Sequence, residues 1–215
     1  MGTHLLLLLV AVIWGTTWAV ARFLSYGLDE STGANLGPAT AAWLRYLVVV
    51  IAFVAWCWAY KNRNGPRMLP HDSRSWRYTV WLGLLGTMAY QLLFMHGMKW
   101  TAASDASLII PVNPVFTVLL AAPMLGQKVT KRMAFGLLLG IVGVSVVVGW
   151  SPNTDIPFEH RLLGDAMIVL AALAWATNSN LTKIALEEDG IGTTEELVIW
   201  YSIVGWIMLT PWMLA

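Results

Sequence analysis

Seven apolar runs of about 20 residues divide this 215-residue chain, and each is long enough for a helix to cross the hydrocarbon core of a bilayer. Short polar connections separate the runs, which lie near residues 5 to 25, 39 to 60, 79 to 98, 104 to 125, 133 to 150, 163 to 185 and 196 to the end. Strands of a membrane barrel would instead alternate polar and apolar residues over segments of about ten. Because the runs show no such alternation, the sequence predicts an all-α membrane protein, a polytopic helical bundle.

The charge content excludes several other classes of protein. Charged residues make up 12% of the chain, whereas a soluble domain carries about 25%. The net charge of +1 gives no reason to expect a nucleic-acid partner. The sequence carries no phosphate-binding or metal-binding motif, so we expect no enzymatic activity, no catalytic residue, no metal and no cofactor.

The distribution of Lys and Arg predicts the orientation in the membrane. The second and fourth connections hold eight of these residues, and the first, third and fifth hold two, Lys99 and Arg161. We therefore expect a multi-pass protein of the cytoplasmic membrane with a cytoplasmic amino terminus. The acidic sixth connection, 186 to 196, does not follow the pattern. The start of the first run also fits a signal peptide cleaved after residues 19 to 21, although no Lys or Arg precedes it.

Two parts of the chain resemble each other. Trp14 precedes Arg22 by eight residues in the first span, and Trp175 precedes Lys183 by eight residues in the sixth. Five spans separate the copies, so the second would start on the opposite side of the membrane and be inverted, as in secondary transporters. This predicts a first five-helix repeat over 1–150 and an incomplete second repeat over 151–215, in a fragment of a ten-helix protein. The alternative is a chance likeness of two Trp-containing helices.

A series of short motifs carries a family resemblance. They are Trp14-Gly15-Thr16-Thr17, Ala41 to Tyr46 around Arg45, Gly83 to Thr87, Met98 to Thr101, Ala103 to Ala106, Pro114 to Thr117, Gly126-Gln127-Lys128, and Gly136 to Gly143. In this order and spacing, the chain resembles the EamA-type transporters of the drug/metabolite transporter superfamily. The resemblance implies ten helices in two inverted repeats, a cavity that opens alternately to each side, and movement of small metabolites or drug-like compounds, often outward.

The fourth span contains the first candidate binding site. Pro111 and Pro114 cannot donate backbone hydrogen bonds, and broken helices near mid-membrane are tolerated where they line a cavity. Asn113 adds a side-chain donor and acceptor between them. We expect all three to contact the solute; the alternative is a simple kink.

Arg45 and Asp105 are the intramembrane charges that we single out. Such charges are usually paired or functional, so they are expected to form an ion pair, to bind an ionised solute, or to couple transport to protons through Asp105. The alternative is that Arg45 reaches the interface and Asp105 caps a helix.

Further polar and aromatic residues suit a solute that is partly polar and partly apolar. They are Trp14 and Thr17 in the first span, Tyr90 and Gln91 in the third, and Thr177 and Asn178 in the sixth. Interfacial anchoring and bonding between helices are the alternatives.

We expect the bilayer and a small-molecule solute as partners. The glycines at 136, 140 and 143 also allow close helix packing, within the chain or in a homodimer. We predict a secondary transporter, an exporter that works by alternating access, with proton coupling as one mode. A non-transporting membrane scaffold or receptor is the alternative function.

Overall fold

The computed structural model describes residues 2–26, 36–60, 72–150, 156–187 and 193–214, and every regular element in these ranges is helical. Seven stretches are long and apolar enough to span a bilayer. They are Thr3–Ser25, Pro38–Ala59, Ser73–Trp100, Ala103–Leu125, Lys131–Gly149, Phe158–Glu187 and Thr194–Leu214. The prediction of a polytopic all-α membrane protein is confirmed.

Two of the seven spans contain more than one helical segment. In chain order the elements are α1 Gly2–Tyr26, α2 Pro38–Tyr60, α3 Ser73–Leu82, a π-helix Gly83–Ala89, α4 Tyr90–Trp100, α5 Ala103–Ile109, a 3₁₀ turn Ile110–Val112, α6 Asn113–Leu125, α7 Lys131–Gly149, α8 Phe158–Glu187 and α9 Thr194–Leu214. Span three begins six residues earlier than expected from hydropathy, because the polar residues Arg74 and Arg77 belong to its first turns.

The π-helix of span three contains glycines that allow other helices to approach closely. A Cβ added to Gly83 would lie 2.9 Å from the Tyr201 carbonyl oxygen, and one added to Gly86 would lie 2.6 Å from the Asn178 amide carbon. The π-helix thus packs directly against α9 and α8. Such π segments are rare and often accompany functional sites.

Span four is interrupted where its prolines remove backbone donors. Pro111 lies within the 3₁₀ turn between α5 and α6, and Pro114 is in the first turn of α6. Helix α6 then ends at Gly126, whose φ of 65° is the left-handed conformation that favours glycine. The proline pattern therefore produces the expected break.

The core of the bundle lies between spans three and six. Phe94, Met95 and Met98 of α4 and Ile168 of α8 are at most 1% exposed. A Cβ on Gly164 of α8 would lie 2.7 Å from the Thr101 amide nitrogen, so these elements pack backbone against backbone.

Two helices present apolar side chains outward. In α7 the one buried residue is Leu137, and in α1 the side chains from Leu5 to Leu9 are more than half exposed. In a membrane protein such surfaces face lipid or neighbouring helices.

Candidate solute-binding cavity

A cavity of about 350 Å³ lies among spans one, two, three, four and six, and we call it the aromatic cavity. Its lining residues are Trp14, Gly15, Thr17, Trp18, Arg45, Tyr46, Tyr90, Gln91, Phe94, Ile110, Asn113 and Trp175. The volume lies within the usual range for small-molecule sites.

Four spans bring these residues to a common depth. Arg45 is seven residues from the start of α2, Tyr90 is ten residues from the end of α4, Asn113 is ten residues from the start of span four, and Trp18 is eight residues from the end of α1. These ends lie on the same side of the membrane because the spans alternate in direction. At 1.5 Å per residue, the cavity is about 10–15 Å below that surface.

Aromatic rings form one wall of the cavity around Phe94. The Tyr90 ring stacks on Phe94 with centroids 5.8 Å apart, and the Trp18 ring meets Phe94 edge-on at 5.6 Å. Trp175 of α8 lies 5.1 Å from Tyr90. Because these rings pack on one another, they form a stable apolar surface that can hold the apolar part of a solute.

Arg45 supplies the charge of the cavity. Its guanidinium carbon is 5.9 Å from the Phe94 ring centroid, within cation–π range. Among the residues that the structure describes, no carboxylate forms an ion pair with Arg45. Within the described ranges, the cavity therefore presents a positive charge without a carboxylate partner beside an aromatic wall.

Two amide side chains add hydrogen-bonding capacity. Gln91 is 3% exposed, and its Oε1 accepts no hydrogen bond from the described residues. The Asn113 Oδ1 is 3.5 Å from the Thr117 hydroxyl, which donates mainly to the Asn113 carbonyl at 2.9 Å. Both amides can therefore bond a polar group of a solute.

The aromatic cavity collects six residues singled out from the sequence. Trp14 and Thr17 of α1, Arg45 of α2, Tyr90 and Gln91 of α4, and Asn113 of α6 line it together. Their role in binding stays a prediction, since lining one cavity is a geometric relation only.

The prolines of span four lie away from this cavity. Pro111 and Pro114 are exposed on the surface of the bundle, whereas Ile110 and Asn113 face the cavity. Each pair is three residues apart and shares one helical face. The prolines therefore shape the span without lining the aromatic cavity.

The two polar residues of span six are also outside the lining. The Thr177 hydroxyl donates to the Leu173 carbonyl at 2.8 Å, so its hydrogen bond is local. Asn178 is 3% exposed and lies against Gly86, one turn beyond Trp175. Span six contributes its tryptophan to the cavity, and Asn178 fills the contact with the π-helix.

Arg45 and Asp105 are not brought together as an ion pair. Asp105 is 2% exposed and interacts electrostatically with Asp165 of α8, while its Oδ1 accepts from Ser104 at 3.2 Å. The reason is the direction of the side chains: Arg45 points over Phe94, and Asp105 points toward the start of α8.

A buried polar cluster surrounds Asp105 at this end of the bundle. The Thr101 hydroxyl donates to the Asp165 Oδ1 at 2.5 Å, and Arg161 interacts electrostatically with Asp165. Arg22 of α1 donates to the Met98 and Lys99 carbonyls at 2.6 Å. These bonds join span three to spans one and six and close the bundle above the cavity.

Across the described ranges, no group of three His, Cys, Asp or Glu side chains is placed to hold a metal.

Several lining residues were missed from the sequence, notably Tyr46, Phe94 and Trp175. Phe94 follows Tyr90 by four residues, so helical periodicity was an available signal. Trp175 required knowledge of how α8 packs on α4.

The fold and the cavity define a class: polytopic membrane proteins with an aromatic, positively charged cavity between their spans. The EamA-like transporter family matches residues 1–149, and the chain belongs to this family.

Relatives with similar sequences are transporters by name. The chain is 28% identical to an uncharacterized transporter of Archaeoglobus fulgidus over 99% of its length and 67% of the relative, and 27% identical to a probable amino-acid metabolite efflux pump of Escherichia coli over 93% and 59%. It is 37% identical to a probable terminal-alkyne amino-acid exporter of Streptantibioticus cattleyicolor over 42% and 28%. The chain thus spans about two thirds or less of these relatives. No solved structure matches it.

Proposed function

We propose that this transporter exports small amphipathic carboxylates, of which aromatic and apolar amino acids are the simplest examples, by alternating access through the aromatic cavity. The observation that carries the proposal is Arg45, a cation without a carboxylate partner among the described residues, placed beside an aromatic wall. A solute carboxylate would supply the missing counter-ion, and a charged hydrogen-bonded pair is favoured in a site of low dielectric.

The rest of the cavity suits the remainder of such a solute. Trp18, Tyr90 and Trp175 offer ring faces to an apolar side chain, and Gln91 and Asn113 offer amide oxygens to an ammonium group. The names of two relatives, an amino-acid metabolite efflux pump and a terminal-alkyne amino-acid exporter, support this solute class and outward transport.

The architecture that we propose for transport is the inverted pair of repeats predicted from the sequence, 1–150 and 151–215, in the cytoplasmic membrane with the amino terminus inside. Trp14 and Trp175, the matching tryptophans of the two copies, both line the cavity. That placement supports binding where the repeats meet.

Proton coupling is the second element of the proposal, with Asp105 as a participating group. Asp105 lies with Asp165, Arg161 and Thr101 in the cluster above the cavity. Opening of the bundle at this end would expose the carboxylates to the medium, and closing would bury them again. A carboxyl group that is exposed and buried in turn can exchange a proton once per transport cycle.

Counterflow in proteoliposomes tests the transport proposal with radiolabelled phenylalanine as the probe. Arg45→Gln should weaken phenylalanine binding, measured as the concentration that gives half-maximal counterflow, by about 10- to 150-fold. This is equivalent to the roughly 1.5–3 kcal/mol of a charged hydrogen bond. Lys99→Gln is the matched control, because Lys99 also lies over a ring, that of Trp100 at 5.3 Å, but outside the cavity. Equal effects of the two substitutions would refute the role of Arg45, and no binding or counterflow by the wild type would favour a scaffold or receptor.

A further inference from the structure

A second volume, of about 480 Å³, lies between α1 and α2, and we call it the lateral groove. It is lined by Ile13, Thr16, Thr17, Val20, Ala21, Leu24, Leu36, Ala41, Leu44, Arg45, Val48 and Met95. Ile13, Val20 and Val48 are each more than half exposed, so the groove is open along the outer side of α1 and α2.

The groove is apolar except for a single charge. The Thr16 and Thr17 hydroxyls both donate to the Ile13 carbonyl, at 2.9 and 3.0 Å, so their hydrogen-bonding needs are met within α1. The remaining lining side chains are hydrocarbon or thioether, and Arg45 is the charged member. An extended apolar surface with one cation fits a ligand that has one anionic end.

The groove and the aromatic cavity adjoin at Arg45. Thr17 and Arg45 line both volumes, and the Arg45 guanidinium reaches the cavity side at Phe94. The groove follows α1 from Ile13 to Leu24, and its longer arm runs from the junction at Thr17 to Leu24, about 10 Å at 1.5 Å per residue. A carboxylate held by Arg45 can therefore extend into either volume.

We propose that the lateral groove binds the hydrocarbon tail of linear amphipathic carboxylates, whose head group is held by Arg45, and that it gives such solutes a sideways route between the cavity and the bilayer. Compact carboxylates such as phenylalanine place their apolar part in the aromatic cavity instead. The inference rests on the proposed function for the role of Arg45, and it adds a second class of solute and a lipid-side path.

Binding of radiolabelled decanoate and phenylalanine to the protein in nanodiscs tests this assignment. Val20→Trp fills the groove at an exposed position, and Val10→Trp is the matched control, since Val10 is 48% exposed against 51% for Val20 and lies outside both volumes. We expect Val20→Trp to weaken decanoate binding by about tenfold or more and to change phenylalanine binding by less than about twofold. Val10→Trp should leave both unchanged.

The head group is tested separately with decanol, which has the same tail without a carboxylate. Decanol should compete poorly with decanoate in the wild type, and Arg45→Gln should remove the difference between the two compounds. Equal decanoate affinity in the Val20→Trp and Val10→Trp proteins, or equal competition by decanol and unlabelled decanoate in the wild type, would overturn the proposal. In either case a bilayer lipid would be the better occupant of the groove.

Failure of this inference is distinguishable from failure of the proposed function. If wild-type protein binds decanoate but not phenylalanine, the compact-solute function fails while the groove stands. If Arg45→Gln weakens phenylalanine binding but Val20→Trp leaves decanoate binding unchanged, only the proposal for the groove is refuted. Equal melting temperatures of the two tryptophan variants verify that both fold.

Discussion

Substitution of Gly164 by Ala probes the contact between spans three and six that closes the bundle above the cavity. The added Cβ would lie 2.7 Å from the Thr101 amide nitrogen and the Trp100 carbonyl carbon, and 2.9 Å from the Gly97 carbonyl oxygen. All three are backbone atoms, so side-chain rotation cannot relieve the overlap. Helix α8 must move away from α4, and the hydrogen bond between Thr101 and Asp165, the residue next to Gly164, lengthens with it.

The magnitude follows from opposing terms. Overpacking of a tight contact costs about 1–3 kcal/mol, and weakening the hydrogen bond to a buried carboxylate adds about 1 kcal/mol or more. Replacement of a helical glycine by alanine stabilises the helix by about 1 kcal/mol, because alanine has the higher helix propensity. The net loss is about 1–3 kcal/mol, which at roughly 2–4 °C per kcal/mol lowers the melting temperature by about 2–12 °C.

Gly136→Ala provides the control with the opposite sign. Gly136 also lies in the first two turns of a helix, but its added Cβ meets no atom within 4 Å. This variant gains the propensity term without the overlap and should melt at the wild-type temperature or above. Intrinsic tryptophan fluorescence of detergent-solubilised protein measures both. A Gly164→Ala protein that melts with or above the Gly136→Ala protein would refute the backbone contact.

Three further predictions concern the polar residues. Thr101→Val should lower the melting temperature by several degrees, because a buried carboxylate loses its donor at a cost of about 1–3 kcal/mol, whereas Thr101→Ser should retain most of the stability; equal losses would contradict the hydrogen bond. Asn113→Ala should reduce phenylalanine counterflow about fivefold or more with little change in expression, and wild-type flux would remove Asn113 from the site. Asp105→Asn should leave counterflow intact but abolish acceleration by a pH gradient, and retained acceleration would make Asp105 structural.

The sequence predicted the membrane spans well because hydropathy measures the property that inserts them. It predicted the break in span four from Pro111 and Pro114 because a missing amide proton is a local fact. It placed Asn113 at the binding site but did not predict that Ile110 lines the cavity with it while the prolines face away, since helix rotation is set by packing against α4 and α8.

The charged residues show the same division between local and long-range information. Sequence identified Arg45 and Asp105 as unusual charges within spans, but it did not indicate that Asp165 is the residue near Asp105. That proximity depends on the contact between Gly97 and Gly164, which brings the start of α8 against the end of α4. Similarly, the sequence shows that the spans are rich in tryptophan, but the arrangement of these rings around Phe94 depends on how the helices pack and could not be predicted from it.

The π-helix Gly83–Ala89 sets the angular relation between the two halves of span three. A π turn holds one residue more than an α turn, so if the same residues wound as a regular α-helix, which turns about 100° per residue, one half of the span would rotate by roughly that angle. With Gly83 fixed on α9, Tyr90 and Phe94 would then swing away from Trp18 and Trp175, and the ring wall would be dismantled without the loss of any aromatic side chain. One extra residue in a helical turn therefore determines whether the third span faces its ligand or its neighbours.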